Sequence, residues 1–284
     1  MLRRLIFAVA ALSAVAAGPA LAAGDAEHPH DYNYSFDSPL GGYDMGAVQR
    51  GFAVYRQVCA GCHSMNMLAY RHLGERGGPF AAYSVRNHET GESEVRIGAP
   101  ADAHGAKFVE VTDNPFVRAI ASEVQVNDID PNTGQEMQRP GRISDHFPSP
   151  FPNEAAARAS NGGAYPPDLS LIVSARHGGA NYITSLLMGY TGEMRGTLYE
   201  NPYFPGRYIA MPPPIAADDL VAYDDGTAAT REQMAHDVST FLAWAADPHM
   251  EQRKRLGVQV LAFLLVLSGL LYLAYKHVWR NESH

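Results

Sequence analysis

One five-residue motif constrains this chain more than any other feature of it. Residues 59–63 read Cys-Ala-Gly-Cys-His, the C-x-x-C-H pattern that attaches a c-type haem. Each thiol can add to one haem vinyl group, and the two-residue spacer lets Cys59 and Cys62 reach the same porphyrin edge. His63 follows where its imidazole can meet one face of the iron. The motif predicts one covalently bound haem c, attached at Cys59 and Cys62, with His63 as an axial iron ligand.

Other uses of paired cysteines fit less well. Structural zinc usually takes four Cys or His ligands, but Cys59 and Cys62 are the only cysteines and no His pair at zinc-finger spacing follows them. A redox dithiol also uses C-x-x-C, but normally within a βαβ pattern, and it leaves His63 without a role. A disulfide is the third alternative for an exported chain, but haem attachment would consume both thiols.

The first 22 residues have the pattern of a cleavable secretory signal peptide. Arg3 and Arg4 form a basic start, residues 5–17 are apolar and rich in alanine, and Ala20-Leu21-Ala22 supplies small residues for cleavage. The mature chain is therefore expected to start at Ala23. Export fits the haem motif, since c-type haem is attached outside the bacterial cytoplasm.

The other end of the chain has the pattern of a membrane anchor. Residues 256–275 are 20 consecutive uncharged residues dominated by Leu, Val and Ala. A helix of that length spans about 30 Å, the thickness of the hydrocarbon core of a bilayer. Basic residues flank both ends, and Tyr272, Tyr275 and Trp279 suit an interfacial aromatic belt. A buried core helix is the alternative, but the position and the basic flanks favour a transmembrane helix.

The sequence contains conflicting signals about which side of the membrane the main domain occupies. Three Lys and Arg residues precede the span and two follow it, so the positive-inside rule weakly places the main domain in the cytoplasm. The signal peptide and the haem motif both require export, and they outweigh a difference of one charge. The predicted layout is a signal peptide at 1–22, a periplasmic haem domain at 23–252, and an anchor with a short cytoplasmic tail at 253–284, in the bacterial inner membrane.

The predicted exported domain is strongly acidic. The whole chain has 22 Lys and Arg against 30 Asp and Glu; residues 23–252 hold 15 of the former and 29 of the latter, a formal charge of −14. Such a domain has no natural attraction for nucleic acid and favours a basic partner, although solubility alone would also explain the charge.

Helical periodicity is clearest on either side of a long irregular region. An apolar stripe at spacings of three and four runs over residues 45–58 and leads directly into Cys59. Residues 154–160 are rich in alanine, and residues 231–246 form an amphipathic pattern. Between them, Asp168 or Ser170 is a candidate cap for a helix that follows. Residues 23–45 are expected to form an irregular arm and residues 74–153 long excursions around a haem-centred core.

The second axial ligand decides what such a haem can do. An open position suits gas binding or catalysis, whereas His/Met ligation suits electron transfer. Among the ten methionines, Met211 differs in context because three prolines follow it and favour an extended chain. It also lies between the haem motif and the last amphipathic helix, the order found in small His/Met cytochromes. His177 is the best rival from the sequence alone.

Four segments beyond the haem motif resemble the cytochrome c1 family, and the likeness covers essentially the whole mature chain. They are RASNGGAYPPDLS at 158–170, ARHGG at 175–179, NPYFPG at 201–206 and AMPPPI at 210–215. The final helix and the single span also match. Two departures are visible: Tyr165 stands where the family often has leucine, and this chain cannot form the additional disulfide of some bacterial members.

The resemblance implies a mainly α fold, with a cytochrome c-like haem domain, long irregular insertions and one C-terminal transmembrane helix. It implies that Met211 is the second axial ligand of the haem iron. It also implies that Arg158 lies near a haem propionate, which would give a charge-assisted contact. No residue is expected to act as a catalytic acid, base or nucleophile.

The function that the resemblance implies is that of an electron-carrier subunit of quinol–cytochrome c oxidoreductase, the bc1 complex. The chain would pass one electron from the Rieske iron–sulfur protein to a soluble c-type cytochrome and would not be an enzyme by itself. Expected partners are the cytochrome b and Rieske subunits, membrane lipid, and a basic soluble cytochrome, within a dimeric complex. Two alternatives remain: an independent membrane-tethered shuttle, and a haem enzyme or sensor with an open iron site.

Overall fold

Two helices that cross at Gly51 form the centre of the structure. The structure is a computed structural model, and it describes residues 26–86, 91–98 and 105–281. The predicted signal peptide and the last three residues of the predicted tail lie outside these ranges. The described residues contain seven α-helices: α1 Met45–Val54, α2 Tyr70–Gly74, α3 Pro115–Ser122, α4 Glu154–Ser160, α5 Gly179–Met188, α6 Arg231–Ala246 and α7 Met250–Val278. The predicted mainly α fold is confirmed.

Within the described ranges, eight short strands form three small antiparallel sheets at the edges of this helical centre. Their order is β2-β1-β3 in the first sheet, β4-β5 in a hairpin and β6-β7-β8 in the third. The strands are β1 Ala82–Arg86, β2 Ser93–Ile97, β3 Lys107–Phe108, β4 Gln125–Ile129, β5 Glu136–Pro140, β6 Met194–Arg195, β7 Leu198–Glu200 and β8 Tyr208–Ile209.

The region 74–153 is more regular than the sequence predicts. It contains the first sheet, helix α3 and the β4–β5 hairpin. Helix α3 begins at a clear signal, since the Asn114 side chain accepts hydrogen bonds from two backbone N–H groups of the first turn and Pro115 follows it. The strands have two to five residues and are largely exposed, so they lack the apolar alternation that marks a strand in a sequence.

The crossing of α1 and α6 depends on the missing side chain of Gly51. A Cβ atom there would collide with the backbone carbonyl of Asp237 and lie 2.7 Å from the Cβ of Phe241. Because nothing separates the two backbones at this point, aromatic rings can pack directly on either side of it. The ring centroid of Phe241 lies 5.6 Å from that of Phe52 and 5.7 Å from that of Tyr55.

A buried ion pair lies beside the crossing. Asp237 is fully buried, and its carboxylate accepts hydrogen bonds from Arg50 Nε at 2.8 Å and Arg50 Nη2 at 3.1 Å. Gln233 Nε2 donates a third at 3.0 Å. A buried carboxylate is tolerated only when it is paired in this way, so the pair ties the direction of α6 to that of α1.

The N-terminal arm is irregular, as predicted, but it is firmly packed. Tyr34 and Phe36 are buried, and the Tyr34 ring stacks on that of His236 with centroids 4.5 Å apart. The Tyr34 hydroxyl lies 2.5 Å from the hydroxyl of Thr184, which in turn bonds Ser239 at 2.7 Å. The arm therefore joins α5 to α6.

The same arm holds the start of α7. The Lys254 ammonium donates to the backbone carbonyls of Phe36, Ser38 and Gly41, at 2.6, 2.8 and 3.2 Å. The Glu251 carboxylate accepts a hydrogen bond from the backbone N–H of Tyr43 at 3.0 Å. Beyond this junction α7 has no further buried residue, and it is long and apolar enough to cross a membrane. It contains the whole predicted span 256–275.

We expect Gly51→Ala to lower the free energy of unfolding by more than about 3 kcal/mol, because side-chain rotation cannot relieve a clash with backbone. Thermal unfolding of the full-length protein in detergent, and the yield of haem-loaded protein, would measure the loss. Gly46→Ala, in the same helix, is the matched control. Its added Cβ would meet only the side chains of Asp44 and Arg50, at 3.2 and 3.4 Å, so its effect should stay within about 1 kcal/mol. Equal stability of the two variants would contradict the role given to the crossing.

Candidate haem site

Helix α1 leads into the C-x-x-C-H motif through one wider turn. Residues Tyr55–Cys59 form a π-helical turn, in which the Ala60 N–H donates to the Tyr55 carbonyl at 2.8 Å. Turns of this kind occur often at functional sites. The motif itself then closes as a helical turn, because the N–H groups of Cys62 and His63 donate to the Cys59 carbonyl at 3.1 and 2.9 Å.

That turn places the three predicted haem residues together. Residues three and four apart lie on one face of a helical turn, so Cys59, Cys62 and His63 share a face. Cys59 is half-buried and packs against the main hydrophobic cluster, while Cys62 is exposed. An added Cβ at Gly61 would meet nothing within 4 Å, so the spacer is not packed against other residues.

The surroundings of Cys59 differ from those of a redox dithiol. Burial raises the pKa of the Cys59 thiol to about 12, and the neighbouring Cys62 adds to the effect. Redox dithiols react as thiolates and occur where the thiol pKa is lowered. Among the described residues, no group of three or more His, Cys, Asp or Glu side chains could hold a metal ion, as a structural zinc site would need.

The imidazole of His63 is oriented by a distant carbonyl. Its Nδ1 lies 2.8 Å from the Pro167 carbonyl oxygen, so Nδ1 carries the proton and donates. Burial lowers the pKa of His63 despite that hydrogen bond, so the ring is neutral at physiological pH. The lone pair is then on Nε2, which is the arrangement of a metal-binding histidine oriented by its other ring nitrogen.

Asp168 fixes the loop that carries Pro167. Its carboxylate accepts hydrogen bonds from the Ser64 hydroxyl at 2.9 Å, the Asn66 N–H at 2.8 Å and the Ser170 N–H at 2.8 Å. Partial burial alone would raise the pKa of Asp168, but these donors hold it below its ordinary value. Asp168 therefore ties residues 167–170 to the chain just after His63.

The structure corrects one expectation about this loop. Neither Asp168 nor Ser170 caps a helix directly, because residues 170–178 form successive turns and the next helix, α5, begins at Gly179. Asp168 uses its carboxylate on the haem-motif segment instead. The Ser170 hydroxyl does the same, accepting a hydrogen bond from the Met67 N–H at 3.1 Å.

Met211 borders the same core as the haem motif. Its side chain is half-buried and packs against the hydrophobic cluster that Cys59 also contacts. The Tyr190 hydroxyl donates to the Met211 carbonyl at 3.0 Å. The rival ligand His177 is exposed on the turn before α5, so the packing favours Met211.

Arg158 lies outside this cluster. Its guanidinium is about half exposed and donates from Nε to Glu154 at 2.8 Å and from Nη1 to the Gly163 carbonyl at 3.0 Å. It also lies 5.6 Å from the ring centroid of Tyr165. These contacts join α4 to the loop that ends at Pro167, and the contact with a propionate stays a prediction.

The described residues fit a covalently bound haem. Two thiols share the face of a neutral imidazole whose Nε2 is not used by the protein contact at Nδ1, and a thioether borders the same apolar core. Sequence reasoning missed three residues that arrange this site: Pro167, Asp168 and Tyr190. Pro167 and Asp168 lie in the segment 158–170 that resembles the family, and Asp168 was also a candidate cap, but neither signal indicated a contact with the haem motif; Tyr190 carried no signal.

Such a site, built on crossing helices and followed by one apolar helix, is that of a c-type cytochrome with a C-terminal membrane anchor. Comparisons with known proteins agree. Residues 34–282 match the family described as "Cytochrome C1 family", and the chain belongs to the cytochrome c1 family. The members of this family are haem proteins that carry electrons in the bc1 complex.

Several relatives are similar along most of the chain. "Cytochrome c1" of Rhodospirillum rubrum is 39% identical, over 95% of this chain and 97% of its own length. "Cytochrome b-c1 complex catalytic subunit, mitochondrial" of Candida albicans is 42% identical, over 87% of this chain and 75% of its own length. "Cytochrome b/c1" of Bradyrhizobium diazoefficiens is 41% identical over 91% of this chain, which spans only 36% of that relative.

We expect Asp168→Asn to destabilise the full-length protein by about 1–3 kcal/mol at pH 7, because a charged acceptor of several hydrogen bonds is lost. The folded pKa of Asp168 is lowered below its unfolded value, so its contribution is complete above the unfolded pKa. The difference between wild type and variant should therefore shrink as the pH falls below about 4. Denaturant midpoints from pH 7 to pH 3 would measure it, with Asp113→Asn, at an exposed position, as control. Equal stability at pH 7 would show that the carboxylate does not hold the loop.

Proposed function

We propose that this chain passes one electron from a Rieske iron–sulfur protein to a soluble c-type cytochrome, as the haem subunit of a bc1 complex. The observation that carries the proposal is the shared face of Cys59, Cys62 and a neutral His63 in a chain of the cytochrome c1 family. The work assigned to the protein is to bind, orient and shield, so no catalytic acid, base or nucleophile is required.

Two residues are proposed as the axial iron ligands. His63 would bind through Nε2, with its ring held by the Pro167 carbonyl, and Met211 would bind through its thioether sulfur. A haem c supplies a one-electron iron couple, whose potential is raised by His/Met ligation. Covalent attachment would be through Cys59 and Cys62. Arg158 remains a candidate contact of a propionate, since charge-assisted hydrogen bonds suit that group.

We also propose that residues 23–252 lie in the periplasm, anchored in the bacterial inner membrane by the span 256–275 with the C-terminus in the cytoplasm. Residues 1–22 would be the signal peptide that exports the domain. The basic residues before the span, which oppose this orientation under the positive-inside rule, have partners within the protein. Arg253 pairs with Asp247 at 2.5 Å, Arg255 with Glu251 at 3.9 Å, and Lys254 donates to three backbone carbonyls. Their charges are thus partly satisfied within the protein.

The partners follow from the family and the charge. Cytochrome b and the Rieske subunit would share the membrane complex, which we propose is dimeric. The formal charge of −14 on residues 23–252 would attract a basic soluble cytochrome and speed its encounter.

We expect Met211→Leu to open one iron position in the full-length protein. The reduced variant should bind carbon monoxide readily, and the ferric variant should lose the far-red charge-transfer band that methionine ligation gives. Met188→Leu is the control, since Met188 is also half-buried against the main cluster. A wild-type protein that already binds carbon monoxide would instead indicate an enzyme or sensor with an open iron site.

We expect the chain to co-purify with cytochrome b and a Rieske protein from gently solubilised membranes. The purified assembly should reduce a basic soluble cytochrome at a rate that falls as ionic strength rises, because salt screens the attraction. Purification of the chain alone would favour an independent tethered shuttle. A rate that does not depend on salt would remove the charge argument for a basic acceptor.

A further inference from the structure

The segment that carries Met211 cannot be held by backbone hydrogen bonds in the usual way. Pro212, Pro213 and Pro214 follow it and have no N–H group to donate. The preceding strand β8 ends at Ile209, where its pairing with β7 also ends. Between β8 and the buried Ile215, the chain therefore needs other contacts to keep one position.

Side chains from two helical segments supply those contacts. The Tyr190 hydroxyl donates to the Met211 carbonyl at 3.0 Å, and Arg231 Nε donates to the Ile215 carbonyl at 3.1 Å. Arg231 is the first residue of α6, and Tyr190 follows the last turn of α5. The two donors thus hold the proline segment near both of its ends.

Tyr190 is itself well fixed. It follows Gly189, where a Cβ would collide with the ring of Tyr203 and lie 2.8 Å from the Ser185 carbonyl. The Tyr190 ring meets that of Tyr199 edge-on, with centroids 6.5 Å apart.

We propose that Tyr190 is a positioning residue whose hydrogen bond to the Met211 carbonyl keeps the methionine sulfur on the haem iron, with Arg231 holding the same segment at Ile215. This inference rests on the proposed role of Met211 as a ligand. Without the Tyr190 hydrogen bond, the proline segment is held by Arg231 at Ile215 but no longer at Met211. An external ligand would then displace the Met211 thioether from the iron more easily.

The test is Tyr190→Phe in the full-length chain within the purified membrane complex. The variant loses one hydrogen bond to the Met211 carbonyl. From the net free energy of one such bond, we expect the apparent affinity of ferric haem for imidazole to rise about three- to tenfold. The far-red band should weaken at a lower imidazole concentration than in wild type, and the reduction potential of the haem should fall. Tyr199→Phe is the matched control, because it removes a hydroxyl from the neighbouring ring, and it should behave like wild type.

A second variant guards against a purely structural effect. Arg231→Gln removes the donor to Ile215 from a different helix and should shift imidazole affinity in the same direction. Wild-type affinity in both variants would overturn the proposal. If wild type itself lacks the far-red band, and Met211→Leu changes nothing, the ligand assignment fails before Tyr190 is considered.

Discussion

The contact between α1 and α6 at Gly51 is the constraint on which the haem site depends. Helix α1 continues through its π turn into Cys59, so its direction sets where the attachment face points. Helix α6 begins at Arg231, whose Nε holds the Ile215 carbonyl after the Met211 segment. The crossing therefore fixes both the helix that leads into the haem motif and the helix that holds the end of the Met211 segment. The buried pair of Arg50 and Asp237 makes this crossing specific, since either partner alone would be costly to bury.

Distant loops complete what the crossing begins. The carbonyl that orients His63 comes from Pro167, more than a hundred residues later in the chain. The Asp168 carboxylate and the Tyr190 hydroxyl act on backbone groups of His63's and Met211's own segments. These polar contacts lie at the edge of the apolar core: those of Pro167 and Asp168 are exposed or partly buried, and that of Tyr190 is partly buried. The segments of the two proposed ligands are thus held by hydrogen bonds, beside the hydrophobic cluster against which Cys59 and Met211 pack.

The sequence indicated the helical centre well and the connecting regions poorly. Helix α6 has the bounds predicted from its periodicity, the stripe from Val48 to Val58 does lead into Cys59, and the anchor helix contains the predicted span. Burial of one face imposes a period on the sequence of α1 and α6, whereas the anchor helix is marked by the length of its uncharged run. The strands of residues 82–140 impose none, because they are short and exposed. Asp168 was interpreted as a helix cap, but two of its three partners, Ser64 and Asn66, are around a hundred residues away, and no local pattern records such pairing.

The grip of the N-terminal arm on the start of α7 has a mechanical consequence. The start of α7 is fixed to the domain by the three carbonyls around the Lys254 ammonium and by the contact of Glu251 with Tyr43. These contacts restrict rotation of α7 relative to the domain. The 29 residues of α7 form a shaft about 44 Å long. If α7 spans a bilayer as proposed, a change in bilayer thickness that altered the tilt of this helix would also turn the domain. The inclination of the proposed haem face to the membrane plane would then depend on the lipid as well as on the protein.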